Sequence, residues 1–146
     1  MLIAIDPGAD SGWAVFYDNV LVSCGLNGEP APVPAQVDLV VIERPKVYPG
    51  GRTKSPDAIV TLALNAGEWA GRFRAHAFDV RYVEPRTWKG TVDGDVCTRR
   101  ILKALSSGER DAYEDAMRLD KVPSKKKHNV VDAIGIGLWA CDRFGR

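Results

Sequence analysis

The sequence has 146 residues, the length of one ordinary domain, and its 45% hydrophobic and 27% charged residues are typical of a globular chain rather than a disordered one. It contains no run of about 18 apolar residues that would predict a membrane span, and its first residues, "MLIAIDPG", lack the basic region and cleavage site of a signal peptide. Cys24, Cys97 and Cys141 are scattered without CxxC spacing, which argues against a disulfide framework or zinc site and favours a reducing cytoplasm.

Charge is unevenly distributed, although the formal net charge is only +1. The first 43 residues hold six acids and no Lys or Arg, so all 20 basic residues follow them. Basic residues concentrate in "RPKVYPGGRTK", which contains Arg44, Lys46, Arg52 and Lys54, and in "KKK" at 125–127. Such stretches suit a phosphate backbone. From charge alone, a solvated surface explains them equally well.

The first half of the chain predicts four strands. "LIAID" runs into a Pro7-Gly8 turn, and "GWAVFYD" and "VLVSCGL" follow with "DN" between them, which together predict a three-stranded antiparallel meander. A Pro-rich loop, "NGEPAPVPAQ", leads to "VDLVVIERP", a buried type of strand that Pro45 ends.

The second half predicts helices and one further strand. Ser55 is a good N-cap for the long helix "SPDAIVTLALNAGEWAGRFRAH", and "FDVRYVEP" is the next strand. A loop, "RTWKGTVDGD", precedes a helix in "VCTRRILKAL" and another in "SSGERDAYEDAMRLD", where Ser106 and Glu109 form a capping box. A polar loop, "KVPSKKK", leads to a last, apolar helix from Val130 onward. We therefore predict a single α/β domain over 1–146, with a mixed five-stranded sheet (three antiparallel strands, then parallel strands) flanked by helices.

Three acids stand out against their apolar surroundings. Asp6 ends the first strand, Glu43 ends the fourth, and Asp132 lies within the apolar final helix. Neighbouring carboxylates repel one another unless a cation or proton lies between them. Mg²⁺ and Mn²⁺ prefer oxygen ligands, and two such ions about 4 Å apart can activate a water and stabilise the leaving oxygen of a phosphodiester. One acid at a strand end is most simply a turn former, but the three together predict a metal site.

His128 and Asn129 lie four and three residues before Asp132, so all three share a helix face. Either residue could be a fourth ligand or could orient a metal-bound water, and the sequence leaves this choice open. The alternative for His128 is a role in capping the helix start. Gly135 and Gly137 would let this helix lie close to another element.

The segments "IAIDPGADSGWAVF", "VVIERP", "PRTWKG" and "HNVVDAIGIGLWA" occur in this order and together resemble the RuvC-type Holliday junction resolvases, particularly their short bacteriophage and viral members. The resemblance implies an RNase H-like fold, a homodimer, a place in the bacterial cytoplasm and Mg²⁺-dependent paired nicking of four-way DNA junctions. The family's acids carry over to Asp6, Glu43 and Asp132. Its fourth position, three residues before the last Asp, is Asn129 here, with His128 beside it.

The resemblance also implies roles for other residues. Lys89 in "TWKG" matches a basic residue that assists the chemistry, whereas Trp88 beside it reads as core. Tyr48 is the candidate for a wedge at the junction centre. The helix after Ser55 is the candidate dimer surface because of its own exposed apolar or small residues. The expected cofactor is Mg²⁺, with Mn²⁺ able to substitute and two ions at each site. The expected catalytic residues are Asp6, Glu43, Lys89, His128 and Asp132, and the expected DNA contacts are Arg44, Lys46, Tyr48, Arg52, Lys54, Lys89, Arg99, Arg100, Lys125, Lys126 and Lys127.

Several other functions fit parts of this pattern. A related RNase H-like nuclease could act on structured RNA, or less specifically to debranch DNA. A non-catalytic junction-binding module is disfavoured, because a dead site has no use for three mutually repelling carboxylates. An actin-like sugar kinase or ATPase also begins with an Asp-Gly strand turn, but that fold needs a second nucleotide-binding half for which this chain is too short.

Overall fold

The computed structural model describes residues 1–28, 37–47 and 55–145. These ranges contain five strands, five α-helices and one 3₁₀ turn at Ser124–Lys126. The strands and helices are β1 (Leu2–Asp6), β2 (Gly12–Tyr17), β3 (Val20–Leu26), β4 (Val37–Glu43), α1 (Pro56–Phe73), β5 (Ala77–Val83), α2 (Pro85–Trp88), α3 (Gly94–Ala104), α4 (Ser107–Leu119) and α5 (Lys127–Ala140).

The five strands form one mixed sheet in the order β3-β2-β1-β4-β5. β2 pairs antiparallel with both β1 and β3, whereas β4 pairs parallel with both β1 and β5. The predicted mixed sheet is therefore confirmed. A short turn can reverse the chain between antiparallel strands, but parallel neighbours need a longer crossover. Helix α1 supplies the crossover between β4 and β5.

Helices cover the two faces of the sheet, and the strands have apolar residues on both faces because of this. On one face, Ile3 and Ile5 of β1 pack in a cluster with Trp69 and Phe73 of α1. On the other face, Ala4 of β1 belongs to a second cluster, which includes most of α5. Successive strand residues point to opposite faces, so β1 contributes to both cores.

Helix α5 packs closely against the sheet and also against α2 and α3. A methyl group at Gly135 would lie 2.6 Å from atoms of Ile101 and Trp88, and one at Gly137 would overlap the ring of Phe16. A methyl group at Gly12 in β2 would likewise overlap the backbone carbonyl of Asn129. The three glycines are therefore required by close contacts, as the sequence predicted for the two in α5.

Two predicted boundaries were wrong. The segment after β5 was predicted to be a loop, but Pro85–Trp88 forms a short helix because proline is well suited to its first position. The final helix starts at Lys127 rather than Val130, directly after the 3₁₀ turn, so His128 and Asn129 are helical. The Ser55 N-cap and the capping box of Ser106 and Glu109 are confirmed. Among the described residues, no helix is both long and apolar enough to cross a membrane.

A buried ion pair attaches the end of the described chain to the rest of the fold. The carboxylate of Glu109, with a side chain only 1% exposed, accepts hydrogen bonds from both terminal nitrogens of Arg143, at 2.6 and 2.7 Å. It also accepts from the backbone N–H of Leu21 at 2.8 Å and of Ser106 at 2.9 Å. One carboxylate thus joins α4, β3 and the segment after α5.

Candidate active site

Asp6 and Glu43 end two neighbouring parallel strands. Ile5 of β1 pairs with Ile42 of β4, so Asp6 and Glu43 are the next residues along the two strands. Side chains alternate between the two faces of a sheet. Asp6 therefore points to the same face as Ala4, and Glu43 points to the same face as Val41. Both of those residues belong to the core on the α5 side. The two carboxylates therefore emerge side by side on the face that α5 covers.

Lys89 joins these acids to Asp132 of α5. Its ammonium Nζ lies 3.2 Å from Oδ2 of Asp132 and 3.9 Å from Oε2 of Glu43. The exposed fractions of the three side chains are 25% for Lys89, 22% for Asp132 and 16% for Glu43, so this group is only partly accessible to water. The sequence predicted from its own pattern that the acids form one site, and it added Lys89 only through a resemblance. The structure brings them into contact.

The charges around Lys89 affect its pKa in opposite directions. Burial is the largest single effect and lowers the pKa of Lys89, because it penalises the charged form. The carboxylates of Asp132, Glu43 and Asp6 raise it, and together they outweigh burial, so the net pKa lies above its ordinary value. Lys89 is thus a permanent cation at neutral pH, and all three predicted acids are near enough to act on it.

Trp88 positions Glu43, a role that the sequence did not indicate. Its indole Nε1–H donates a 2.7 Å hydrogen bond to Oε2 of Glu43, and its fully buried ring lies 4.7 Å below the ammonium of Lys89. Trp88 was predicted to be a core residue, and it is one. The available signal for its second role was its position next to a candidate catalytic lysine, because a buried indole N–H usually finds a polar partner.

The two candidates for a fourth ligand lie in the first turns of α5. His128 is exposed and Asn129 is half-buried, with its backbone carbonyl against Gly12. Within residues 1–28, 37–47 and 55–145, no three His, Cys, Asp or Glu side chains are clustered closely enough to form a ready metal site. The ligand set drawn from the sequence therefore stays a prediction, with the ammonium of Lys89 lying between two of its members.

Several predicted DNA-binding residues have acidic partners within the chain. Arg44 and Lys46 both form ion pairs with Glu84, which follows β5, and the Lys46 contact is 2.5 Å. Both bonds lower the pKa of Glu84, and the bond from Lys46 has the larger effect. Lys126 forms a 2.7 Å ion pair with Asp10. Lys125 is exposed and Lys127 half-buried, while Tyr48, Arg52 and Lys54 lie outside the described residues.

A basic pocket adjoins the carboxylates through Lys89. It has a volume of about 710 Å³ and lies between α2, α3 and the segment after α5. Its charged lining consists of Arg86, Lys89, Arg100 and Arg143 against one acid, Asp142. Arg100 therefore faces this pocket. Arg99, the other candidate on α3, is exposed and donates a 3.4 Å bond to the backbone of Asp95.

The outer face of α1 has apolar side chains in contact with solvent. Leu64 is 68% exposed, Val60 is also exposed, and Gly67 and Gly71 continue the same stripe at helical spacing. This stripe lies on the helix that the sequence analysis predicted to be a dimer surface. That assignment stays a prediction.

The architecture defines the fold. A mixed sheet in this order, with helices on both faces, matches the RNase H-like fold of a solved Holliday junction resolvase, and the chain has that fold. One similar solved structure is the Fowlpox virus resolvase in complex with Holliday junction DNA, with a TM-score of 0.58, 15% identity and coverage of 97% of this chain and 99% of the viral one.

T. thermophilus RuvC in complex with a Holliday junction substrate also matches, with a TM-score of 0.41, 16% identity and coverage of 94% of this chain and 90% of that one. No family model and no curated protein sequence matches the chain. The expected fold is confirmed by structural similarity, which at 15% identity extends to the fold alone.

Proposed function

We propose that this protein is a metal-dependent endonuclease that resolves Holliday junctions or other branched DNA by paired, symmetric nicks. The observation that carries the proposal is that Glu43 and Asp132 both face the ammonium of Lys89, while Asp6 ends the parallel strand next to Glu43. The fold shared with a resolvase solved with junction DNA supports it.

The donor set fits a hard divalent cation. The three acids offer only carboxylate oxygens, which Mg²⁺ and Mn²⁺ prefer, and a cation already lies among them in the form of the Lys89 ammonium. Asp6, Glu43 and Asp132 would hold the metal, with His128 or Asn129 as a further ligand. Bound there, Mg²⁺ would make a water nucleophilic at neutral pH and stabilise the leaving oxygen.

The chain's own groups prepare the site for a phosphate. Trp88 holds Oε2 of Glu43, the same oxygen that faces Lys89, and thereby orients this carboxylate in the site. Lys89 carries a positive charge in partly desolvated surroundings, where charge stabilisation is stronger than in water. When a scissile phosphate arrives, that ammonium can move to the developing negative charge on its oxygens. Lys89 would thus stabilise charge on the phosphate or aid proton transfer.

DNA would approach along the basic surface. The pocket lined by Arg86, Arg100 and Lys89 adjoins the carboxylates, so the strand next to the scissile phosphate would contact it. Lys125 and Lys127 lie at the start of the helix that carries Asp132. A homodimer through α1 would place two such sites about a two-fold axis, which matches the symmetry of a four-way junction.

A junction-cleavage assay tests the proposal. Purified protein with Mg²⁺ should nick a synthetic four-way junction symmetrically, whereas addition of a chelator should stop cleavage. Asp6→Asn should bind the junction without cutting it. Asp111→Asn is a matched control, because Asp111 is an exposed acid on α4 away from the site.

The substrate is decided in the same assay. Cleavage of structured RNA with intact junctions would favour an RNA nuclease, and equal cutting of forks, flaps and junctions would favour a less specific debranching enzyme. Tight junction binding without cleavage in the presence of any divalent ion would favour a non-catalytic junction-binding module.

A further inference from the structure

The turn over residues 7–11 directly follows Asp6, and its conformation sets where β1 ends. Asp6 pairs with Gly12 across this turn in the antiparallel register of β1 and β2. The turn has few contacts of its own: Ser11 Oγ accepts from the N–H of Gly8 at 3.3 Å and donates to its carbonyl at 3.2 Å. Its other hydrogen bonds come from distant elements.

Helix α1 supplies two of these bonds. The amide Nδ2 of Asn65 donates to the carbonyl of Gly8 at 2.8 Å, and the indole Nε1–H of Trp69 donates to Ser11 Oγ at 3.0 Å. With these bonds the buried hydroxyl of Ser11 uses its one donor and both acceptor positions. Loss of a partner from such a buried group is costly, because water cannot replace it.

Other elements fasten the same turn from different directions. Asn27, just after β3, accepts from the backbone N–H of Ser11 at 2.9 Å and donates to Asp10 at 3.2 Å. Lys126, the residue directly before α5, donates to Asp10 at 2.7 Å. The turn thus receives hydrogen bonds from α1, on one face of the sheet, and from the residue that precedes α5, on the other face, next to the candidate site.

We infer that Asn65 and Trp69 are positioning residues for Asp6: by fixing the turn over residues 7–11, they hold the Asp6 carboxylate beside Glu43 in the geometry that metal binding and cleavage require. This inference rests on the proposed function. Trp69 also stacks on Phe73 in the core, with ring centroids 6.0 Å apart. Its indole N–H is therefore separable from its packing, since phenylalanine retains an aromatic ring without the donor.

The test combines Asn65→Leu and Trp69→Phe with a matched control, Thr61→Val. Thr61 is an exposed residue of the same helix whose hydroxyl donates only to the carbonyl of Asp57 within that helix. Mn²⁺ affinity is measured by calorimetry without DNA, and single-turnover cleavage of a four-way junction is measured at saturating enzyme. Circular dichroism and thermal melting establish that each variant is folded at the assay temperature.

Both α1 variants should bind Mn²⁺ more weakly and cut between about tenfold and a hundredfold more slowly, because small displacements of catalytic groups have effects of this size. Junction affinity should be unchanged, and Thr61→Val should match wild type. If both folded variants retain wild-type Mn²⁺ affinity and cleavage rate, the inference is wrong.

The remaining outcomes are also decisive. If one variant does not fold, the other carries the test, and if neither folds, the bonds serve stability alone and the inference is rejected. If wild type itself neither binds Mn²⁺ nor cuts junctions, the proposed function has failed and the inference fails with it. If wild type does both and the variants do too, only the inference fails.

Discussion

Replacement of Glu109 by glutamine is expected to destabilise the fold strongly at neutral pH and much less in acid. Hydrogen bonds from Arg143 are the largest cause of the low pKa of Glu109; burial opposes them, and the N–H groups of Leu21 and Ser106 add to them, with a net pKa of about 2 against the usual 4.5. The folded pKa is depressed, so the carboxylate stabilises the folded state above the unfolded pKa, and this stabilisation is lost as pH falls toward 2.

The size of the effect follows from the two pKa values. Each pH decade between them contributes about 1.4 kcal/mol, so the ionised carboxylate stabilises the fold by about 3 kcal/mol at pH 7. At pH 3 only about 1 kcal/mol of this remains. Glutamine keeps the shape of the side chain but leaves the Arg143 guanidinium without its counter-charge, which is costly at a buried pair.

Urea denaturation at pH 7 and pH 3 measures the free energy of unfolding of wild type and Glu109→Gln. The difference between them should be about 3 kcal/mol at pH 7 and roughly 2 kcal/mol smaller at pH 3. Glu114→Gln on the same helix is the control, since this exposed acid should change stability by no more than about 0.5 kcal/mol. A loss below about 1 kcal/mol at pH 7, or one that does not depend on pH, would refute the reasoning.

Three further predictions concern the site and its support. Lys89→Gln should bind Mn²⁺ about fivefold or more tightly, because the positive charge that competes with the metal for the carboxylates is removed. The same variant should cut junctions about a hundredfold more slowly. Calorimetry measures the first effect and single-turnover assays measure the second. Trp88→Phe removes the hydrogen bond to Glu43 and should weaken Mn²⁺ binding severalfold in the same calorimetry. Gly137→Ala should lower the free energy of unfolding by about 1–3 kcal/mol, because its methyl group overlaps Phe16.

Each of these has an outcome that contradicts it. Unchanged Mn²⁺ affinity in Lys89→Gln would mean that the ammonium does not oppose metal binding. Wild-type affinity in Trp88→Phe would show that Glu43 needs no fixed orientation. For Gly137→Ala the control is Gly108→Ala, where a methyl group meets open space; equal effects of the two substitutions would exclude a role for close packing.

The sequence was most informative where one local pattern determines one local structure. The strand ends at Asp6 and Glu43 follow from apolar runs that a proline ends. The capping box depends on only two residues, Ser106 and Glu109. The parallel register that places Asp6 beside Glu43 is not local. It depends on the chain passing through β2 and β3 before β4 returns to pair with β1, so the sequence could predict the acids but not their adjacency.

Partners distant in sequence were the main source of omissions. "RPKVYPGGRTK" contains no acid, and no local pattern indicates that Glu84 pairs with Arg44 and Lys46, because that pairing arises from the alignment of β4 with β5. Trp88 reads as core from its apolar ring alone, while its bond to Glu43 spans 45 residues. Such contacts result from tertiary packing, which periodicity and capping rules do not describe.

The position of α5 has a consequence for how the protein folds during synthesis. Helix α5 is the last described helix in chain order, yet it packs on β1 and β2 at the centre of the sheet and carries Asp132. During synthesis, the faces of β1 and β2 that α5 covers stay uncovered until that helix, more than 100 residues later in the chain, has been made. Such non-local contacts slow folding. The candidate nuclease site is therefore incomplete until α5 docks on the sheet, and a chain cut short before α5 would carry only two of its three acids.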